Sequence, residues 1–264
     1  MRGHPLAPPL AAALVTLLAA AGCSRSGAHV ASTAARAAGP APPVVAVEGV
    51  LADFTRQVAG SRVTVISLVR PGVDPRAWQP TAGDMAAAAR APLIITNGAG
   101  LEPFLDALLK RAGDQAPVME ATRGIDLRMN ADGKPEPHVW LSPVLAIRCV
   151  QNIRDSLSRM DPPGEPTYGA LGDAYIRQLR DLDAWISDQV NAVAPEKRVL
   201  STGQEMLGYF ADQYGIQVVA PTDDSHEPRV LDSLTDASGP APTYIDMMRF
   251  DVSVIVKAMS AGPG

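Results

Sequence analysis

A chain of 264 residues, of which 47% are hydrophobic, is long enough to form one large or two modest domains with a real core. Its formal net charge is −5 and it has no run of basic residues. This balance excludes a nucleic-acid partner bound through a basic surface.

The first 22 residues have the composition of a targeting segment. Arg2 supplies a positive charge, and the apolar run LAAALVTLLAAAG at residues 10–22 is too short to cross a bilayer as a stable helix. The run ends in AAGC, which resembles the lipobox of bacterial lipoproteins, where the cysteine is acylated and becomes the new N-terminus. We therefore expect a signal peptide at residues 1–22 and an acylated Cys23 that anchors the protein to the outer face of the cell membrane. The alternative is an ordinary secretory signal that is cleaved nearby.

The second cysteine and the segment after Cys23 have simple interpretations. If Cys23 is acylated, Cys149 has no cysteine partner, and its place in a helical pattern indicates a small core residue. Residues 23–43 are small, polar and proline-rich, so they cannot bury enough apolar surface to fold and predict a flexible tether. His29 lies in this tether and has no assigned role.

Strands and helices alternate after the tether. Apolar runs and amphipathic stretches predict strands at 44–49, 62–69, 92–98 and 116–121, and helices at 51–60, 81–91 and 101–113. Thr81 is a candidate N-cap, and Ser142-Pro143 should begin a further helix. Strands that alternate with helices predict an α/β fold with a parallel sheet covered on both faces.

A long helix separates this alternation from a second, shorter one. The apolar stripe in residues 167–193 predicts a helix of roughly 40 Å, long enough to run along two lobes and join them. Strands at 198–202 and 216–221, helices at 205–215 and 242–259 follow. We expect an N-terminal lobe at 44–165, a linking helix at 166–194 and a shortened C-terminal lobe at 195–264.

Short catalytic motifs are missing from the sequence. The glycine-rich stretch NGAGLEP at 97–103 has Pro103 where a dinucleotide-binding motif needs its third glycine, so a tight strand-to-helix turn is the better interpretation. No G-x-S-x-G, H-E-x-x-H or C-x-x-C motif is present. An extracytoplasmic α/β enzyme therefore has no motif in its favour.

His138 stands out in the stretch GKPEPHVWLSP, residues 133–143. It lies in a proline-bounded loop before a helix, at the end of a sheet where α/β folds bind ligands. By itself it is either a buried structural histidine or a ligand.

Several longer segments carry a family resemblance. LVRPGVDPRAWQPTAGDM, NGAGLEPFLDALL, PHVWLSPVLAIRCVQNI, YIRQLRDLDAWI, GYFADQYG and DSLTDASGPAPTYIDMM occur in an order and spacing similar to the TroA-like zinc and manganese receptors of bacterial ABC importers. The resemblance spans nearly all of residues 44–260. It implies two βα lobes bridged by a long helix, a cation held in the cleft between them, and no catalysis. It also implies a lipid-anchored monomer that delivers the cation to a membrane permease.

The family binds its cation with four side chains, and the resemblance carries these positions onto Arg76, His138, Gln204 and Asp232. His138 and Asp232 are retained as ligands, whereas Arg76 and Gln204 are substitutions. Zinc needs four N, S or O donors. The Arg76 guanidinium only donates hydrogen bonds and stays charged, so it cannot ligate, and Gln204 offers a neutral amide oxygen.

The substitutions leave the metal, Zn²⁺ or Mn²⁺, and its affinity open. We predict that Arg76 pairs with Asp232 and partly stands in for the cation. The loop TDDSHEP at 222–228 either supplies replacement ligands from Asp223, Asp224 and His226 or is a solvated acidic loop. The alternative function is a degenerate family member without tight metal binding, which acts as an accessory or protein-interaction lipoprotein.

Overall fold

The structure, a computed structural model, describes residues 41–113, 116–221, 228–231 and 233–261. Along these residues six strands alternate with seven α-helices. They are β1 Ala41–Ala46, α1 Gly49–Ala59, β2 Val63–Ser67, α2 Ala82–Arg90, β3 Ile94–Thr96, α3 Leu105–Ala112, β4 Val118–Glu120, α4 Pro143–Met160, α5 Glu165–Asn191, β5 Val199–Ser201, α6 Gly208–Tyr214, β6 Gln217–Val219 and α7 Tyr244–Ala261.

The first four strands form one parallel sheet in the order β2-β1-β3-β4. Its centre is β1, where Val44, Val45 and Ala46 are fully buried, as expected for a strand with helices on both faces. The strand order reverses between β1 and β3. In open α/β sheets ligands bind outside the carboxyl ends of the strands at such a reversal.

The second sheet is smaller. Strands β5 and β6 pair in parallel, with Leu200 opposite Val218, and α6 connects them. In the described part of the chain this sheet has two strands, against four in the first. The predicted α/β fold with parallel sheets is therefore confirmed, and the reduced C-terminal lobe stays a prediction.

Helix α5 is the longest element, with 27 residues. At 1.5 Å per residue it extends roughly 40 Å. It packs against α1 and α4, which flank the first sheet, and against α7 near the chain's end. One continuous apolar core includes Val44 of the first sheet, Leu179 of α5 and Leu200 of the second sheet. The long helix thus belongs to one apolar core that also includes residues of both sheets.

The sequence predicts the start of two helices correctly and of a third imprecisely. Thr81 caps α2 in a capping box with Asp84, and Ser142 caps α4 by accepting from the Leu145 N–H at 3.3 Å. The predicted helix at 101–113 begins only at Leu105. The turn before it is held by Glu102, which accepts from the backbone N–H groups of Asn97 at 2.5 Å and of the following residue. This geometry supports the prediction that NGAGLEP is a tight turn and not a phosphate-binding site.

Most of the other boundaries shift by a few residues, and three of these shifts have a local structural reason. Strand β1 begins at Ala41 rather than at residue 44, because Ala41 pairs with Val63 of β2, so the strand includes the last residues assigned to the tether. Strand β3 ends before Gly98, whose φ of 81° leaves the extended region. The predicted helix at 205–215 starts as a 3-10 turn at Glu205–Leu207 before α6.

Cys149 is buried in the core, as predicted, and burial raises the pKa of its thiol to about 12. None of the helices in the described ranges combines the length and hydropathy needed to cross a bilayer.

Candidate metal site

The loop that carries His138 lies at the reversal point of the first sheet. Asn97, directly after β3, donates from its side-chain amide to the Pro137 carbonyl oxygen at 3.0 Å. Thr122, just beyond β4, donates to the Asn97 carbonyl oxygen at 2.7 Å. These bonds attach the loop to the carboxyl edge of the sheet. The sequence-based placement of His138 at a ligand-binding edge agrees with this position.

His138 is 5% exposed and packs against Trp140, with ring centroids 5.1 Å apart in an edge-to-face arrangement. Its ring Nδ1 is hydrogen-bonded to Oε1 of Glu136. Its backbone N–H donates to the same oxygen at 3.1 Å. One carboxylate therefore contacts both the ring and the main chain of His138.

Glu136 is ionised in this arrangement. Burial alone would raise the pKa of Glu136, but hydrogen bonds from the His138 ring and backbone, together with the positive charge of Arg76, bring that pKa below its ordinary value. A carboxylate accepts hydrogen bonds and has none to donate, so Nδ1 carries the proton of a neutral His138. Nε2 is then the unprotonated nitrogen, the form that binds metals.

Tyr209, the second residue of α6, fixes the main chain at Glu136. Its hydroxyl donates to the Glu136 carbonyl oxygen at 2.8 Å and accepts from the Arg128 backbone N–H at 2.9 Å. The Glu136 N–H in turn donates to the Arg128 carbonyl oxygen at 2.8 Å. The second sheet's helix is thereby joined to the loop that carries the histidine.

Gln204 and Glu136 both line a cavity of about 550 Å³. The Gln204 N–H donates to the Thr202 hydroxyl oxygen at 3.0 Å. Its side-chain Oε1 is buried and has no hydrogen-bond partner among the described residues. A buried carbonyl oxygen without a donor is costly, and this atom is available to a cation. Glu205 is exposed at the same cavity.

Arg76 lies in the loop after β2, where its side chain is 56% exposed. Its guanidinium and its backbone N–H both bind Asp74, at 3.1 and 2.9 Å. Burial alone would raise the pKa of Asp74, but these hydrogen bonds and the charge of Arg76 lower it. The Arg76 charge also contributes to the lowered pKa of Glu136.

The remaining predicted positions cannot be placed. Asp232, the loop residues Asp223, Asp224 and His226, and the lipidation site Cys23 lie outside the described residues. The predicted pair of Arg76 with Asp232 stays a prediction; among the described residues the carboxylate bound to Arg76 is that of Asp74.

The described donors fit a cation in part. His138 offers one imidazole nitrogen and Gln204 one amide oxygen, both suitable metal ligands. Within the described ranges no group of three His, Cys, Asp or Glu side chains is arranged to hold a metal ion. A four-coordinate site would therefore need donors from residues such as Asp232.

Sequence reasoning missed Glu136 and Tyr209. A local signal for Glu136 was present, because a carboxylate two residues before a histidine can reach its ring across a single proline. Tyr209 offers no comparable signal, since it is 73 residues from its partner.

Comparison with known proteins identifies the family. Residues 44–230 match the family described as ZnuA, zinc-uptake complex component A periplasmic. The chain belongs to this family. The manganese-binding lipoprotein MntA of Halalkalibacterium halodurans is 32% identical over 295 residues, which cover 94% of this chain and 96% of that protein. The alignment is longer than this 264-residue chain, so the relative has residues that this ZnuA-family chain lacks.

Solved structures agree with this membership. A manganese-bound point mutant of a periplasmic metal-binding protein from Candidatus Liberibacter asiaticus has a TM-score of 0.76 and 25% identity, and covers 83% of this chain and 100% of its own. The periplasmic zinc-binding protein TroA from Treponema pallidum has a TM-score of 0.75 at 23% identity, over 83% of this chain and 99% of its own. The second likeness establishes a TroA-like fold.

Proposed function

We propose that the protein is the extracytoplasmic substrate-binding lipoprotein of a metal ABC import system. It captures Zn²⁺ or Mn²⁺ between its two lobes, passes the ion to a permease in the membrane, acts as a monomer and catalyses no reaction. Membership in the ZnuA family and the manganese-binding and zinc-binding relatives support this proposal. The observation that carries it is the buried His138, whose Nδ1 is bound to Glu136 and whose Nε2 is left for a ligand.

The proposed site combines His138 and Asp232 as ligands with Gln204 and Arg76 at substituted positions. Gln204 would contribute its buried amide oxygen to the cation. Arg76 would add positive charge beside the ion and weaken its binding. We expect a weaker site than one with four ligands, unless residues 222–228 supply further donors.

Metal titration of the full-length chain, purified in detergent without chelator, tests this function. Zn²⁺ and Mn²⁺ are titrated by calorimetry into the wild type, His138→Ala and His29→Ala. His138→Ala should lose binding, whereas His29→Ala removes an imidazole from the predicted tether and should bind like the wild type. A wild type that binds neither ion would reject the proposal in favour of an accessory or protein-interaction lipoprotein.

The membrane anchor is a separate part of the proposal. Acylation of Cys23 with more than one chain would hold the protein at the outer face of the cell membrane, since a single chain gives only marginal binding. In detergent phase separation, the wild type and the Cys149→Ala control should enter the detergent phase and Cys23→Ala the aqueous phase. A wild type found in the aqueous phase would refute the anchor.

A further inference from the structure

Tyr209, Glu136 and His138 form a hydrogen-bonded series that begins in the second sheet's helix. Tyr209 in α6 holds the Glu136 carbonyl oxygen, and the Glu136 side chain holds both the ring Nδ1 and the backbone N–H of His138. All three residues are buried, with exposed fractions between 5% and 6%. Bulk water therefore has little access to these hydrogen bonds, although Glu136 also lines the cavity of about 550 Å³.

We propose that Glu136 is the positioning residue of the site: it holds His138 as the Nδ1–H tautomer and turns Nε2 toward the substrate cation, while Tyr209 anchors Glu136. The proposal rests on the function proposed above. The Oε1 atom of Glu136 is occupied by two donors of His138, its ring Nδ1 and its backbone N–H.

The sequence around Glu136 makes this geometry rigid. Pro135 and Pro137 flank it, and each proline ring fixes its own φ near −65°. The Pro137 carbonyl oxygen is held by Asn97 at 3.0 Å. A carboxylate on such a short and stiff connection can stop the His138 ring from rotating. Hydrogen bonds of this kind orient metal-binding histidines and select their tautomer in other metal sites.

Tyr209 extends the arrangement to the part of the chain that carries Gln204. Gln204 precedes the 3-10 turn Glu205–Leu207, which leads directly into α6. The Tyr209 hydroxyl closes the base of the loop 128–136, where it bridges an N–H group and a carbonyl oxygen of the two facing residues. The Tyr209 hydroxyl is therefore one of the links between α6 and the loop that carries the histidine.

The decisive measurement is the tautomer of His138 in the metal-free protein. Nitrogen-15 NMR of the imidazole ring distinguishes a protonated Nδ1 from a protonated Nε2, and the His138→Ala variant assigns the signal. The wild type should show the Nδ1–H tautomer. Glu136→Leu leaves Nδ1–H without its acceptor, so its ring should lose the preference for the Nδ1–H tautomer. An unchanged tautomer in Glu136→Leu would overturn the proposal.

Metal affinity supplies the second readout. Glu136→Gln should weaken Zn²⁺ or Mn²⁺ binding by about 10- to 100-fold, the usual effect of losing such a partner. Glu205→Gln is the matched control, because it removes the same charge from the same cavity without touching His138. It should keep the wild-type tautomer and lower affinity far less. If the two variants lost metal affinity equally, the effect of Glu136 would be that of its negative charge alone, and the proposal would be overturned.

Tyr209→Phe tests the anchor. It keeps the Glu136 carboxylate and removes only the bridging hydroxyl, so it should broaden or split the His138 ring signal and weaken metal binding less than Glu136→Gln does. A variant identical to the wild type in both measurements would refute the role of Tyr209.

The two proposals fail in distinguishable ways. A wild type that binds no metal refutes the proposed function, whatever the tautomer. A wild type that binds metal, together with an unchanged tautomer in Glu136→Leu and an unchanged affinity in Glu136→Gln, refutes the positioning role and leaves the function standing.

Discussion

Replacing both Arg76 and Gln204 by histidine should strengthen zinc binding markedly. The change removes a positive charge from the site and adds two imidazole donors. Four-ligand structural zinc sites bind with roughly 10–16 kcal/mol of apparent free energy. Restoring two of four ligands should therefore recover several kcal/mol, on the order of 10³-fold in affinity or more.

The structure indicates that the fold will tolerate this change. The Arg76 side chain is 56% exposed and its ion pair with Asp74 lies at the surface, where such pairs contribute about 0–1 kcal/mol. Among the described residues, the Gln204 Oε1 makes no hydrogen bond that the substitution would break. We therefore expect the free energy of unfolding to change by no more than about 1 kcal/mol.

Competition with a coloured zinc chelator measures the affinity, and thermal unfolding checks the fold. An Arg76→Gln, Gln204→Leu variant is the control, since it removes the charge without adding imidazoles and should gain only a small part of the effect. A histidine double variant that unfolds like the wild type yet binds zinc no more tightly would show that the four positions do not converge. Nanomolar binding by the wild type would instead show that another group, such as the loop 222–228, completes the site.

Three further predictions concern the fold. Because the second sheet is smaller, amides in residues 198–264 should exchange with solvent faster than those in 44–142; equal protection would contradict this. Thr81→Ala removes the cap of α2 and should cost about 1 kcal/mol in denaturant unfolding, and no change would show that the capping box contributes nothing. Burial raises the pKa of Glu102 to about 7, so the folded state keeps a proton that the unfolded state releases above its ordinary pKa of 4.5. Stability should therefore fall as pH rises through this window, and Glu102→Gln should not show that loss.

Much of the architecture could be predicted from short stretches of sequence. The caps Thr81 and Ser142 depend on contacts within a few residues. The apolar stripe of α5 and the small number of strands after residue 198 can likewise be recognised from patterns a few turns long. Local hydrogen bonding and periodic burial therefore determined the elements, their type and most of their order. The lipobox and the family resemblance also required only local patterns, and through them His138 was singled out.

The working geometry of the site depended on tertiary structure. The strand order β2-β1-β3-β4 places Asn97 beneath the His138 loop, and α6 brings the Tyr209 hydroxyl to Glu136 from 73 residues away. The junction is buried, so the hydrogen bond from a single carboxylate can select the tautomer of the His138 ring. These hydrogen bonds depend on which groups, distant in sequence, lie together in a low-dielectric part of the fold. Neither hydrophobic periodicity nor helix-capping patterns in the sequence predict which groups meet there.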